Sequence, residues 1–84
     1  MLDVQIVTPR KVAWQGKADG VQAPGSEGEF GVLPGHIPFL TTLKAGVVTV
    51  KAEGGTRRFS TGPGFAEAGP ERIVLLVDSC EEQA

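Results

Sequence analysis

The chain has 84 residues, 8 of them basic and 10 acidic, with a formal net charge of −2. That length fits one domain with a modest core, since so short a chain hides only about 60% of its unfolded surface. There is no basic excess to neutralise phosphates, which argues against a dedicated nucleic-acid binder, and hydrophobic residues at 40% argue against disorder by composition.

Two further classes are excluded by short counts. The longest apolar run is Ile73 to Val77, while a membrane helix needs about 20 residues. Cys80 is the only cysteine, which leaves no internal disulfide framework and no Cys-rich zinc site, and fits a reducing compartment. The stretch Met1 to Gln5 lacks a basic n-region and an apolar h-region, so neither a secretory signal nor a transit peptide is expected there.

The dominant period along the chain is two. Leu2, Val4 and Ile6 share one face and Asp3 and Gln5 the other, which predicts a half-buried strand. Pro9 ends it in a turn over 8–11. Val12 and Trp14 are expected to point inward from a short strand over 11–15. Gly16 then closes that piece, and a further strand runs over 17–23. A polar loop follows from Pro24 to Glu29. Phe30 and Val32 alternate after it. In Leu33-Pro34-Gly35-His36, Pro fixes φ and Gly supplies positive φ, which predicts a type II turn.

Ile37, Phe39 and Leu43 share a face of the next segment. Val48, Val50 and Ala52 alternate with Val47, Thr49 and Lys51, and Glu53-Gly54-Gly55 closes a hairpin. The return strand covers 56–61. Gly62-Pro63-Gly64 turns again, a short strand covers 65–68, and Gly69-Pro70-Glu71 makes the last turn. Residues 72–77 are apolar on both faces, as in a central strand of a sandwich. About nine short strands with closely spaced turn signals predict an all-β antiparallel sandwich or flattened barrel.

The C-terminus carries a different signal. Ser79 and Glu82 fit a capping box, with Glu81 and Glu82 as first-turn acids. Residues 1–78 are therefore read as the sandwich domain. Residues 79–84 are read as the start of a missing or frayed C-terminal helix, because two residues beyond a capping box do not hold one.

Reaction chemistry finds little support. His36 is the only histidine and none of Ser26, Ser60 and Ser79 lies in Gly-x-Ser-x-Gly. Gly25, Gly28 and Gly31 do not form the dinucleotide fingerprint, and no Walker-type loop exists. Glu27 and Glu29 read as a solvated loop or a partner contact, and His36 as a loop residue or a subunit contact. Arg57, Arg58 and Phe59 suggest nucleic-acid stacking only weakly beside a charged hairpin strand. Trp14 is in phase with Val12 and is assigned to the core. Cys80 reads as an inert thiol. A β-domain with rich loops and no reaction centre points to binding.

The stretch from Ala23 to Thr41 adds a more specific signal. Leu33-Pro34-Gly35-His36-x-Pro38 followed by Leu40-Thr41 resembles the signature of the epsilon subunit of bacterial F-type ATP synthases, the delta subunit of the mitochondrial enzyme. Leu2-Asp3-Val4 with Val7-Thr8-Pro9, Lys44-Ala45-Gly46-Val47, Gly62-Pro63-Gly64-Phe65-Ala66-Glu67 and Val74 to Ser79 resemble further family segments in order, with Pro63 a small departure. The resemblance implies a ten-stranded β-sandwich that acts in the central stalk of the rotor, with no active site and no cofactor. It implies the gamma subunit and the membrane c-ring as partners, so that membrane association is indirect, on the cytoplasmic side of a bacterial inner membrane.

By the same resemblance, Glu27, Gly28, Glu29, Phe30 and Gly31 face the c-ring and Pro34, Gly35 and His36 lie near gamma. The family's longer members add a C-terminal helical hairpin that has no counterpart among these 84 residues. Inhibition and nucleotide binding are therefore not carried over. Two other readings compete: a stand-alone sandwich binding a ligand or peptide, which lacks an exposed aromatic platform, and a small hydrolase using His36, which lacks partner motifs.

Overall fold

The structure is a computed structural model that describes residues 1–36 and 38–83. Among these, nine strands follow one another: β1 Leu2–Val7, β2 Val12–Gly25, β3 Gly28–Val32, β4 Phe39–Leu43, β5 Gly46–Ala52, β6 Gly55–Thr61, β7 Gly64–Gly69, β8 Arg72–Val77 and β9 Cys80–Glu82. No helix occurs among the described residues. The expected position of Ile37 lies outside them.

The strands wrap into two layers that share β2. Its first half pairs with β1, and β1, β8, β7 and β4 continue that layer. Its second half pairs with β3 on one side and β5 on the other, followed by β6 and β9. Gly25 at the end of β2 also meets Leu43 of β4, which closes the first layer into a flattened barrel. The inner faces meet in one core of Leu2, Val4, Ile6, Val48, Val50, Phe59, Ile73 and Leu75, each at most 1% exposed. The alternation in 2–6 and 48–50 thus marks real core positions, and 72–77, read as apolar on both faces, buries Ile73, Val74, Leu75 and Val77 but leaves Leu76 exposed.

Some expectations need correction. The sandwich is not wholly antiparallel, because β1 and β8 run parallel. The two strands expected over 11–15 and 17–23 are one. Gly16 does not end the first, because its bare α-carbon lies beneath the Trp14 ring; a Cβ there would stand 2.9 Å from two indole carbons. The aromatic covers the glycine from two residues away on the same face.

Val12 does not point inward with Trp14. Register skips Ala13 between the Ile6–Trp14 and Val7–Val12 pairs, and such a bulge reverses the side that follows it. Val12 is 49% exposed as a result, while Trp14 packs on the core. A second skip at Asp19 moves the inward phase from Ala18 to Val21. Within the helix start expected at 79–84, Cys80–Glu82 form strand β9, antiparallel to β6, and Ala84 lies outside the described residues. Pairing with the β6 edge satisfies the backbone groups of this segment.

Candidate functional site: a hairpin, a turn and the aromatic line between them

The β2–β3 hairpin pairs Ala23 with Phe30, Pro24 with Glu29 and Gly25 with Gly28, leaving Ser26 and Glu27 at its tip. The tip is anchored from β4. The Ser26 N–H donates to the Thr42 carbonyl at 3.0 Å, and the Thr42 hydroxyl donates to Ser26 Oγ at 2.8 Å. Glu27, Gly28, Glu29 and Gly31 are exposed. Phe30 differs: it is half-buried and packs edge-on against Phe39, with ring centroids 5.5 Å apart at 84°. Edge-to-face pairs of this kind hold a ring in one orientation. The hairpin therefore offers two carboxylates and bare backbone on a fixed base.

The turn at Leu33–His36 forms as its sequence predicts. Gly35 has φ +83°, the left-handed value required at the third turn position, and the His36 N–H donates to the Leu33 carbonyl at 3.4 Å. The Gly35 N–H also donates to Pro70 O at 2.7 Å, which docks this turn onto the β7–β8 turn. Pro34 and Gly35 are exposed and His36 is half-buried.

Hairpin and turn sit at opposite ends of β3, yet a row of rings joins them. The His36 ring lies 5.5 Å from Phe39, which in turn meets Phe30. Phe39 is thus a member of this region that sequence reasoning misses. Its phase with Leu43 marks it as core, and nothing in a period-two pattern shows that it touches both segments.

The other candidates resolve differently. Phe59 is 1% exposed and is no stacking platform for bases. Arg57 gives Nε and one terminal nitrogen to the two carboxylate oxygens of Glu82, each at 2.7 Å. Its guanidinium carbon lies 5.6 Å from the Trp14 ring centre. The hydrogen bond from Arg57 holds the Glu82 carboxyl below its ordinary pKa. Burial, with Glu82 nearby, pushes the Cys80 thiol up, which favours its protonated form. Among the described residues no three His, Cys, Asp or Glu side chains converge as a metal site, and no helix is long and apolar enough to cross a membrane.

Comparison with known proteins agrees with this fold. Residues 1–83 match the family described as ATP synthase, Delta/Epsilon chain, beta-sandwich domain. The ATP synthase epsilon chain of Caulobacter vibrioides is 46% identical over 83 residues, covering 99% of this chain and 96% of the relative. That of Moorella thermoacetica is 44% identical over 81 residues, and there the match covers 95% of this chain but only 60% of the longer relative. Among solved structures, a chain of the Euglena gracilis mitochondrial ATP synthase, OSCP/F1/c-ring, superposes with a TM-score of 0.89 at 21% identity, covering 96% of this chain and 52% of that one. Fold, signature turn and relatives converge: the chain belongs to the delta/epsilon-chain family of ATP synthases, as its β-sandwich domain.

Proposed function

We propose that this chain is a rotor subunit of an F-type ATP synthase, a non-catalytic part of the central stalk that binds gamma and the c-ring and couples proton translocation to ATP synthesis. The observation that carries the reading is the family match over residues 1–83, together with relatives named ATP synthase epsilon chain. The complex is membrane-associated, and the chain joins it as a peripheral component on the cytoplasmic side of a bacterial inner membrane.

Such a task needs a body that does not deform under torque and that grips two neighbours. A closed, close-packed sandwich supplies the first. The grip falls to surface segments on that scaffold. Glu27, Gly28, Glu29, Phe30 and Gly31 face the c-ring, and Pro34, Gly35 and His36 face gamma. Glu27 and Glu29 pair with basic groups on the polar loops of the ring. Each exposed pair contributes only about 0–1 kcal/mol, so the attachment is shared among many contacts. The row Phe30–Phe39–His36 makes the two grips one rigid unit, so load taken at the hairpin reaches the turn without a hinge.

The test is Glu29→Lys in the assembled enzyme, read as ring association and ATP-driven proton pumping in inverted vesicles. The expected result is weaker coupling with unchanged folding of the subunit. Coupling and association both equal to the parent's would remove Glu29 from the c-ring contact.

A further inference from the structure

Strand β9 has only three residues, and its ladder to β6 pairs Phe59 with Glu82, Ser60 with Glu81 and Thr61 with Cys80. It is flanked by further backbone bonds. The Asp78 N–H donates to Pro63 O at 3.0 Å, the Gly62 N–H to Ser79 O at 3.0 Å, and the Gln83 N–H to Arg58 O at 2.8 Å. So short a strand at a sheet edge is weakly held by its ladder alone. Side chains add a second hold. Glu82 grips Arg57 through both oxygens, Arg57 lies over Trp14, and Trp14 lies 5.9 Å from Phe59, the largest fully buried side chain. Cys80 packs against the core from the same segment.

From this arrangement we infer that residues 78–83 form a releasable strap across the β6 edge, with Arg57–Glu82 as its clasp and Trp14 as its seat. When closed, the strap occupies the backbone groups of β6 that would otherwise pair with a foreign strand. When open, it bares that edge and frees Arg57, which lies over Trp14, from its carboxylate partner. The clasp is bidentate and charge-assisted, and it is also solvent-exposed, so it is strong enough to bias closure and weak enough to release. The inference does not depend on the rotor reading, since it concerns only contacts within the chain.

Amide hydrogen exchange on the full chain tests it, with Gly62 and Gln83 as reporters of the strap and Leu75 as a reporter of the core. Glu82→Gln is expected to speed exchange at Gly62 and Gln83 by roughly threefold to tenfold, with Leu75 unchanged. Trp14 fluorescence should shift in the same variant. The double exchange Arg57→Glu with Glu82→Arg should slow Gly62 and Gln83 back toward the parent rate. Unchanged exchange at both reporters in Glu82→Gln would overturn the clasp, and so would a double exchange that restores nothing. An equal acceleration at Leu75 would overturn the strap itself, because the segment would then open only with the whole domain.

Discussion

The outer faces of the two layers differ sharply although both strand sets alternate and share one core. On the β4–β7–β8–β1–β2 side, register lines up Thr42, Phe65, Leu76, Val7 and Val12 across five strands. Phe65 is 51% exposed, Leu76 47% and Val12 49%. On the other side the matching row is Gly31, Gln22, Thr49 and Arg58. The same period of two thus yields one polar row and one row with apolar surface left to bury. Burial of such surface contributes about 25 cal/mol per Å², and contiguous exposed apolar patches usually mark contacts. The apolar row begins at Thr42, which holds the tip of the β2–β3 hairpin, so a partner that covers the row also meets the hairpin's flank.

The largest expected effect breaks both faces together. Phe59→Ala removes the biggest fully buried side chain and should cost about 3–5 kcal/mol, a large share of a small domain's stability. Urea melts should show one transition moving to lower denaturant, with both layers lost at once. If one layer survived, the two faces would not rest on a common core.

Next in size, substitutions on the faces should separate them. On the rotor reading proposed above, Leu76→Glu on the apolar row should weaken binding to the gamma and c-ring assembly by about 1–3 kcal/mol. It should leave folding stability within about 0.5 kcal/mol. Thr49→Glu on the polar face should change neither. Co-purification and thermal melts of both variants check this, and equal losses from both would erase the distinction.

Smaller again is Gly35→Ala, which forces a Cβ into a backbone at φ +83° and should cost roughly 1–2 kcal/mol. The effect should be seen first in melts of the isolated chain, with the turn's hydrogen bond to Pro70 weakened.

The smallest effect depends on pH. Hydrogen bonding to Arg57 lowers the Glu82 pKa in the folded chain. The contribution is therefore complete above the ordinary carboxylate pKa and is lost as pH falls through the lower folded value. The melting difference between the parent and Glu82→Gln should persist near neutrality and close on acidification. A difference that stayed constant down to about pH 3 would contradict the pairing.

Much of the fold is legible in the residues themselves. The alternation in 2–6 and 48–50 marks buried positions because a strand sends successive side chains to opposite faces. The Pro34-Gly35 pair specifies its turn because only glycine takes that φ without cost. The family signature lies in the same residues. Less legible are the exposures of Val12 and Phe65. Phase alone assigns Val12 inward, and a single skipped residue at Ala13 reverses it. The candidate contacts read along the chain as two separate groups. That Phe39 touches both His36 and Phe30 depends on how β4 approaches β3, which local pattern does not encode.

Sequence by itself determined the predominance of strands, the inward faces of most of them, the turn at 33–36 and the family, because these follow from side-chain period, backbone preference and residue order. Tertiary structure alone decided that two expected strands are one, that β1 runs parallel to β8, and that 80–82 is an edge strand instead of a helix start. The last two of those depend on a partner distant in the chain. Hydrogen bonds across a sheet are set by whichever edge is left unpaired after folding, and no window of neighbouring residues contains that information.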